Sequence, residues 1–277
     1  MKIAKTRFGS YYLTFRRLLK VRESLASMVS SPHWQVLKER ATNAADKRGF
    51  ELVEEAALDG QFWTGVRQVL DFTKPIYHMI RFADTDKPVI GEVYEQMDTM
   101  LEQIKDIVHN KDPDLYKMIH GFVCVRWNKL NLPLHCLAYI VMPKYYSTSW
   151  LGQPAPGGGI RTKPHLDAEV TIGYLQALEK LIPDREEYAV VHFEIGKYFS
   201  DTSLFGNFHA MEDRDKFDAL TWWKSYVGQG LLPKLAKKVL SRVVNTSAER
   251  CWSTYSFIHN VKRNRLNENR AESCTIT

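Results

Sequence analysis

The chain has 277 residues, 44% of them hydrophobic and 7 of them Trp, so it can bury a substantial core and is not of disordered composition. No apolar run reaches the roughly 18 residues of a membrane span, the first residues lack a secretory apolar core, and 4 scattered Cys without a CxxC pair point to reduced, intracellular thiols. The net charge of +6 is segregated: residues 1–48 carry 11 Lys and Arg against 3 Asp and Glu, residues 221–277 carry 10 against 3, and the middle carries 17 against 26. Basic ends suit either a polyanion or the acidic middle.

In chain order, Thr6-Arg7-Phe8 precedes an amphipathic pattern over residues 10–29. Tyr11, Phe15, Leu18, Leu19, Leu25 and Met28 or Val29 fall on one side of it, and Arg16, Arg17 and Lys20 on another. Ser31-Pro32 starts a helix, and two short helices are expected up to Gln61-Phe62-Trp63. After Asp86-Lys87-Pro88, the residues Val93, Met97, Met100, Leu101, Ile104 and Val108 recur at helical spacing and predict a long helix. Asp112-Pro113 breaks it and begins another. The apolar run 119–127 fits strand or helix by pattern alone. His120 with Cys124, and His135 with Cys136, have no compact zinc-finger spacing and are expected to be ordinary packing residues.

Residues 147–164 hold three prolines and three consecutive glycines and are expected to be a linker between two helical regions, 1–146 and 165–277. Gly157-Gly158-Gly159 lacks the Gly-Lys-Ser/Thr ending of a phosphate loop. Two helical patterns follow, one on Thr171, Tyr174, Leu175, Leu178 and Ile182, the other on Tyr188, Val191, Ile195, Tyr198 and Phe199. Trp222-Trp223 then leads to Leu235, Ala236, Val239, Leu240 and Val243 at helical spacing, with Pro233 in the first turn and Lys234, Lys237, Lys238 and Arg242 opposite. Thr246-Ser247-Ala248-Glu249 has the capping-box pattern, and a last helical stripe on Trp252, Tyr255, Ile258 and Val261 runs into Lys262-Arg263-Asn264-Arg265. The chain is therefore expected to be all-α, with little or no sheet.

The ordered string Trp222-Trp223, Leu235-Ala236, Val239-Leu240, Ser247-Ala248-Glu249-Arg250-Cys251-Trp252-Ser253, Ile258-His259 and Arg263-Asn264-Arg265-Leu266 resembles the C-terminal dimerisation region of hAT (hobo–Activator) superfamily transposases of the plant type. Arg81-Phe82, Asp86-Lys87-Pro88, Arg126-Trp127 and Leu134-His135-Cys136 occur in that family's order as well. The resemblance implies a helical insertion-like domain over 1–146, with helix rather than strand at 119–127. It further implies a C-terminal helical part of an RNase H-like core, with the dimerisation region at about 205–266. It implies DNA contacts at Arg7 and Phe8, and Lys262, Arg263 and Arg265 form a basic cluster suited to DNA and to nuclear location.

Trp222, Trp223, Leu235, Val239, Leu240, Trp252, Tyr255 and Ile258 would form the dimerisation surface, since six aromatics within 36 residues exceed what one small helical unit readily encloses. Packing of the same residues against the upstream helices is the rival expectation. Glu249 stands where the family has its third catalytic carboxylate. The family's two catalytic Asp belong to strands preceding the Thr-Arg-aromatic element, and without them one carboxylate does not hold two Mg or Mn ions. The expectation is a truncated, hAT-derived protein, non-catalytic alone and without a cofactor, that pairs with itself or another hAT chain and associates with DNA but not membranes. The alternatives are a fragment of an active transposase whose two aspartates lie upstream, and a helical scaffold without DNA binding.

Overall fold

The computed structural model describes residues 8–155, 158–226 and 230–244. Among these residues the fold is all-α: fourteen α-helices joined by turns and short 3-10 segments, with one isolated antiparallel bridge, Pro154 to Ile160, as the only extended pairing. The chain divides into two compact units, Met1–His78 and Met79–Thr277.

The first unit contains α1 (Phe8–Lys20), α2 (Arg22–Val29), α3 (Pro32–Glu39), α4 (Ala44–Leu58) and most of α5 (Gly60–Ala83). The single helix expected over 10–29 is two helices, broken at Val21. Tyr12 rather than Tyr11 is buried, stacking on Tyr77 at 4.4 Å, and Val29 rather than Met28 closes the stripe. Ser31 caps α3 by accepting a hydrogen bond from Trp34 N. Phe62-Trp63 belongs to α5, and buried Trp63 donates its indole N–H to Ala57 O at 2.9 Å.

The second unit holds α6 (Val93–Val108), α7 (Pro113–Leu130), α8 (Pro133–Ile140), α9 (Thr148–Leu151), α10 (Ala168–Leu181), α11 (Arg185–Phe199), α12 (Phe208–Glu212), α13 (Ala219–Ser225) and α14 (Leu231–Leu240). The run 119–127 is helix, within α7, and Asp112 caps that helix by accepting from Leu115 N at 2.9 Å. The buried face of α6 carries Val93, Met97, Met100, Ile104 and Val108, the expected stripe less the half-buried Leu101.

At the centre lies α8, buried throughout from Cys136 to Ile140, as a helix apolar on all sides must be. It packs so tightly on α10 that a methyl at Gly173 would stand 2.4 Å from Cys136 Sγ. Because α8 precedes residues 147–164 and α10 follows them, both sides of that stretch share one core. The stretch is a surface loop inside the second unit rather than the expected link between two bodies; Ser147 and Trp150 in it are buried. Proline and glycine reported its irregular backbone correctly, but irregular backbone does not by itself separate cores. A left-handed turn at Gly158, φ 84°, lets the loop reverse.

Candidate functional site

The tryptophan pair was the strongest sequence-level site. Asp218 caps α13 by accepting from Thr221 N at 3.0 Å, which sets Trp222 and Trp223 at the helix centre. Both are fully buried, edge to face at 5.1 Å, against Tyr198 and Phe205. Trp222 Nε1 donates to Ala210 O at 2.7 Å, and Trp223 Nε1 to Val141 O at 2.8 Å. Next to them, the Arg214 side chain is only 1% exposed, ion-paired with Asp201 at 2.8 Å and donating to the carbonyls of Tyr146 and Phe205. Burial works to raise the Asp201 pKa, but hydrogen bonds from Lys163 and Arg214 and their charges hold it below the usual carboxylate value.

Helix α14 begins at Gly230 without a cap of its own, and Glu194 on α11 supplies one by accepting from Leu232 N at 2.6 Å. Leu232, Ala236, Val239 and Leu240 point into the core, Leu235 is half-buried, and Lys234 and Lys238 face solvent. Val243, expected on the apolar stripe, is 46% exposed, since the helix ends at Leu240. Trp222, Trp223, Val239 and Leu240 are thus components of the chain's own core and offer no side-chain surface to a second chain. The rival expectation, packing against upstream helices, describes these four. Of the aromatics counted in the sequence, Trp222 and Trp223 are covered by Tyr198 of α11, Phe205 and the end of α8.

A second site lies along α6. Tyr94, Glu95 and Asp98 on α6, Tyr139 on α8, Trp150 on α9 and Arg161 of the surface loop line a cleft of about 350 Å³. Arg161 pairs with Glu95, and its guanidinium lies 4.5 Å over the Trp150 ring. Tyr139 donates to Glu95 Oε2 and Tyr94 to Glu169 Oε2, each at 3.2 Å, and the two phenol rings stack at 5.0 Å. Burial, then the carboxylates of Glu95, Asp167, Glu169 and Glu102, push the Asp98 pKa up to about 7. Asp98 is nevertheless an exposed residue, so solvent screens much of that effect while its direction stays upward. The arrangement holds a guanidinium between a carboxylate and an indole, and the chain's own Arg161 fills that role. Its only trace in the sequence is an arginine directly after a Gly/Pro stretch.

His120 and Cys124 lie one helical turn apart on α7, with Sγ 3.6 Å from the ring nitrogens. Cys136 is buried against α10, where burial first and Glu169 second push its thiol up to about 11. His135 Nδ1 accepts from Leu132 N at 3.2 Å, and burial lowers the His135 pKa. Among the described residues, no three His, Cys, Asp or Glu side chains converge in a way that would hold a metal ion. Of the remaining candidates, Phe8 opens α1, while Arg7, Glu249, Trp252, Tyr255, Ile258, Lys262, Arg263 and Arg265 lie outside the described residues. No family model and no curated protein matches this chain.

Proposed function

We propose that the chain is a hAT-transposase-derived helical protein, non-catalytic by itself, that acts in the nucleus by pairing with a second copy or with another hAT-type chain, with DNA as a further contact. The observation that carries this reading is the ordered match from Trp222-Trp223 to Arg263-Asn264-Arg265-Leu266. Three features support it. The described residues are all-α, as a helical insertion and helical C-terminal part would be. The solvent face of α14 bears Lys234 and Lys238, and both chain ends are basic, which suits phosphate contacts. Glu249 is the one residue matching a catalytic carboxylate of the family, and one carboxylate does not hold two metals. A divalent metal would have to be completed by aspartates beyond those identified in this sequence.

Because Trp222, Trp223, Val239 and Leu240 are core, pairing through the C-terminal region falls to Trp252, Tyr255 and Ile258, with Leu235 at the margin. Light scattering on the full chain should show a concentration-dependent dimer that Trp252→Ala weakens with helicity intact. An unchanged monomer–dimer balance in that variant would remove the C-terminal segment from the interface. A second reading, supported by Glu249 in the position of the third carboxylate, makes the chain part of an active two-metal transposase. Nicking of a labelled duplex by the isolated protein in magnesium or manganese would select that reading and refute the first.

A further inference from the structure

Helix α7 runs for 18 residues and buries only Ile119. On its outer side Met118, Phe122 and Val125 are 54%, 69% and 57% exposed. At 3.6 residues per turn these three fall on one stripe, and Asp114 and Lys129 lie on the same stripe at its two ends. Three neighbouring large apolar side chains along one helix form a patch rather than scattered surface residues.

Gly121 stands beside the stripe at mid-helix, where glycine costs helix stability relative to alanine. Among the described residues nothing within 4 Å would meet a side chain there, so none of them accounts for the glycine. Asp114 and Lys129 are both exposed, and among the described residues neither is ion-paired.

We infer that α7 is a self-association surface, docking antiparallel on the α7 of a second copy about a two-fold axis between Gly121 and Phe122. A two-fold contact must be self-complementary, each residue meeting a partner equally far beyond the axis. With the axis there, Phe122 lies over the glycine of the other helix, Met118 faces Val125, and Asp114 faces Lys129. Apolar meets apolar, the ring meets the space the glycine leaves, and the acid meets the base, twice each. Lys117 and Arg126 stand about a quarter turn off the stripe, on opposite sides, at the solvated rim. A single helix pair covers less than the roughly 1,200 Å² of a stable complex, so the contact is a weak one that reinforces others. The inference deepens the pairing reading by naming a surface separate from Trp252, Tyr255 and Ile258.

The test is sedimentation of the full chain across a concentration series, as wild type, Phe122→Glu, Val125→Glu, Asp114→Lys, Lys129→Asp and the double swap Asp114→Lys/Lys129→Asp. All four positions are exposed, and circular dichroism checks that helicity is retained. Each glutamate variant should raise the dimer dissociation constant by about 100-fold, since the two-fold counts every buried anchor twice. Each single swap should weaken pairing roughly 5-fold, and the double swap should restore it.

Asp114 and Lys129 are about 22 Å apart along one helix, so they do not pair within a chain. The double swap is also the arrangement least favoured by the helix dipole, so recovery has no source other than contact between copies. A dimer indifferent to both glutamates, or a double swap no better than the singles, overturns the α7 surface and leaves pairing through the C-terminal segment standing. If Trp252→Ala is silent while Phe122→Glu gives monomers, the C-terminal interface fails and the α7 surface stands. A chain monomeric at every concentration, with α7 covered by another part of itself, overturns both.

Discussion

Replacing Trp223 by Ala separates a core tryptophan from an interface tryptophan. The side chain is fully buried, packs on Trp222, Tyr198 and Phe205, and ties α13 to the end of α8 through Val141 O, 82 positions away in sequence. Truncating a buried aromatic to alanine costs about 3–5 kcal/mol. The carbonyl left without its donor adds about 1–3 kcal/mol wherever water does not reach it. Taking about 5 kcal/mol in all, the second unit should melt about 10–20 °C lower. Trp223→Phe keeps one ring but loses the N–H and part of the indole's buried volume, so its cost should fall between that of a lost hydrogen bond, about 1 kcal/mol, and that of Trp223→Ala. The assay is thermal unfolding followed by circular dichroism at two protein concentrations tenfold apart. A core residue gives the same loss at both, because unfolding of one chain does not depend on its partner, whereas an interface residue gives a loss that varies with concentration. A Trp223→Ala protein within about 1 kcal/mol of wild type, or a loss that tracks concentration, would refute the placement of α13 in the core and return the tryptophan pair to the dimer surface.

Gly173→Ala should destabilise the second unit by about 1–3 kcal/mol, because the new methyl meets Cys136 Sγ at 2.4 Å and Cys136 Cβ at 2.8 Å, and the Cβ is fixed to the backbone of α8. Pairing it with Cys136→Gly should recover part of the loss in a urea titration, and strict additivity would exclude the contact. The raised pKa of Asp98 gives a pH test. A carboxyl that binds its proton more tightly folded than unfolded favours the fold in acid, and that contribution is lost as pH rises from the ordinary carboxylate range to about 7. Asp98→Asn should therefore raise the melting temperature at pH 8 and have little effect at pH 4; a difference independent of pH would mean that the neighbouring carboxylates do not press on it.

Much of the helix pattern was legible because each helix carries its own signals. Ser31-Pro32 and Asp112-Pro113 are starts written in adjacent residues, and the stripe from Val93 to Val108 needs only its own spacing. Errors arose where a decision depended on distant residues. Tyr11 and Tyr12 are equally good stripe members until Tyr77 of α5 selects one. The loop 147–164 looks like a linker until α8 and α10 are known to touch.

The same logic governs the candidate sites and redirects the pairing reading. Counting aromatics over residues 222–257 assumed that a local segment had to enclose them locally, but two of the six lie against α8 and α11 and bond their indoles to Ala210 and Val141. Aromatic density along a sequence therefore says only that a large apolar surface must be covered, not by what. The informative feature for an interface is the reverse one, a helix whose apolar residues remain uncovered after the chain has folded. Among the described residues helix α7 has that property, with Met118, Phe122 and Val125 more than half exposed and Ile119 alone of its residues buried. The exposed stripe, Gly121 beside it and the exposed charges of Asp114 and Lys129 at its ends all converge on that one face.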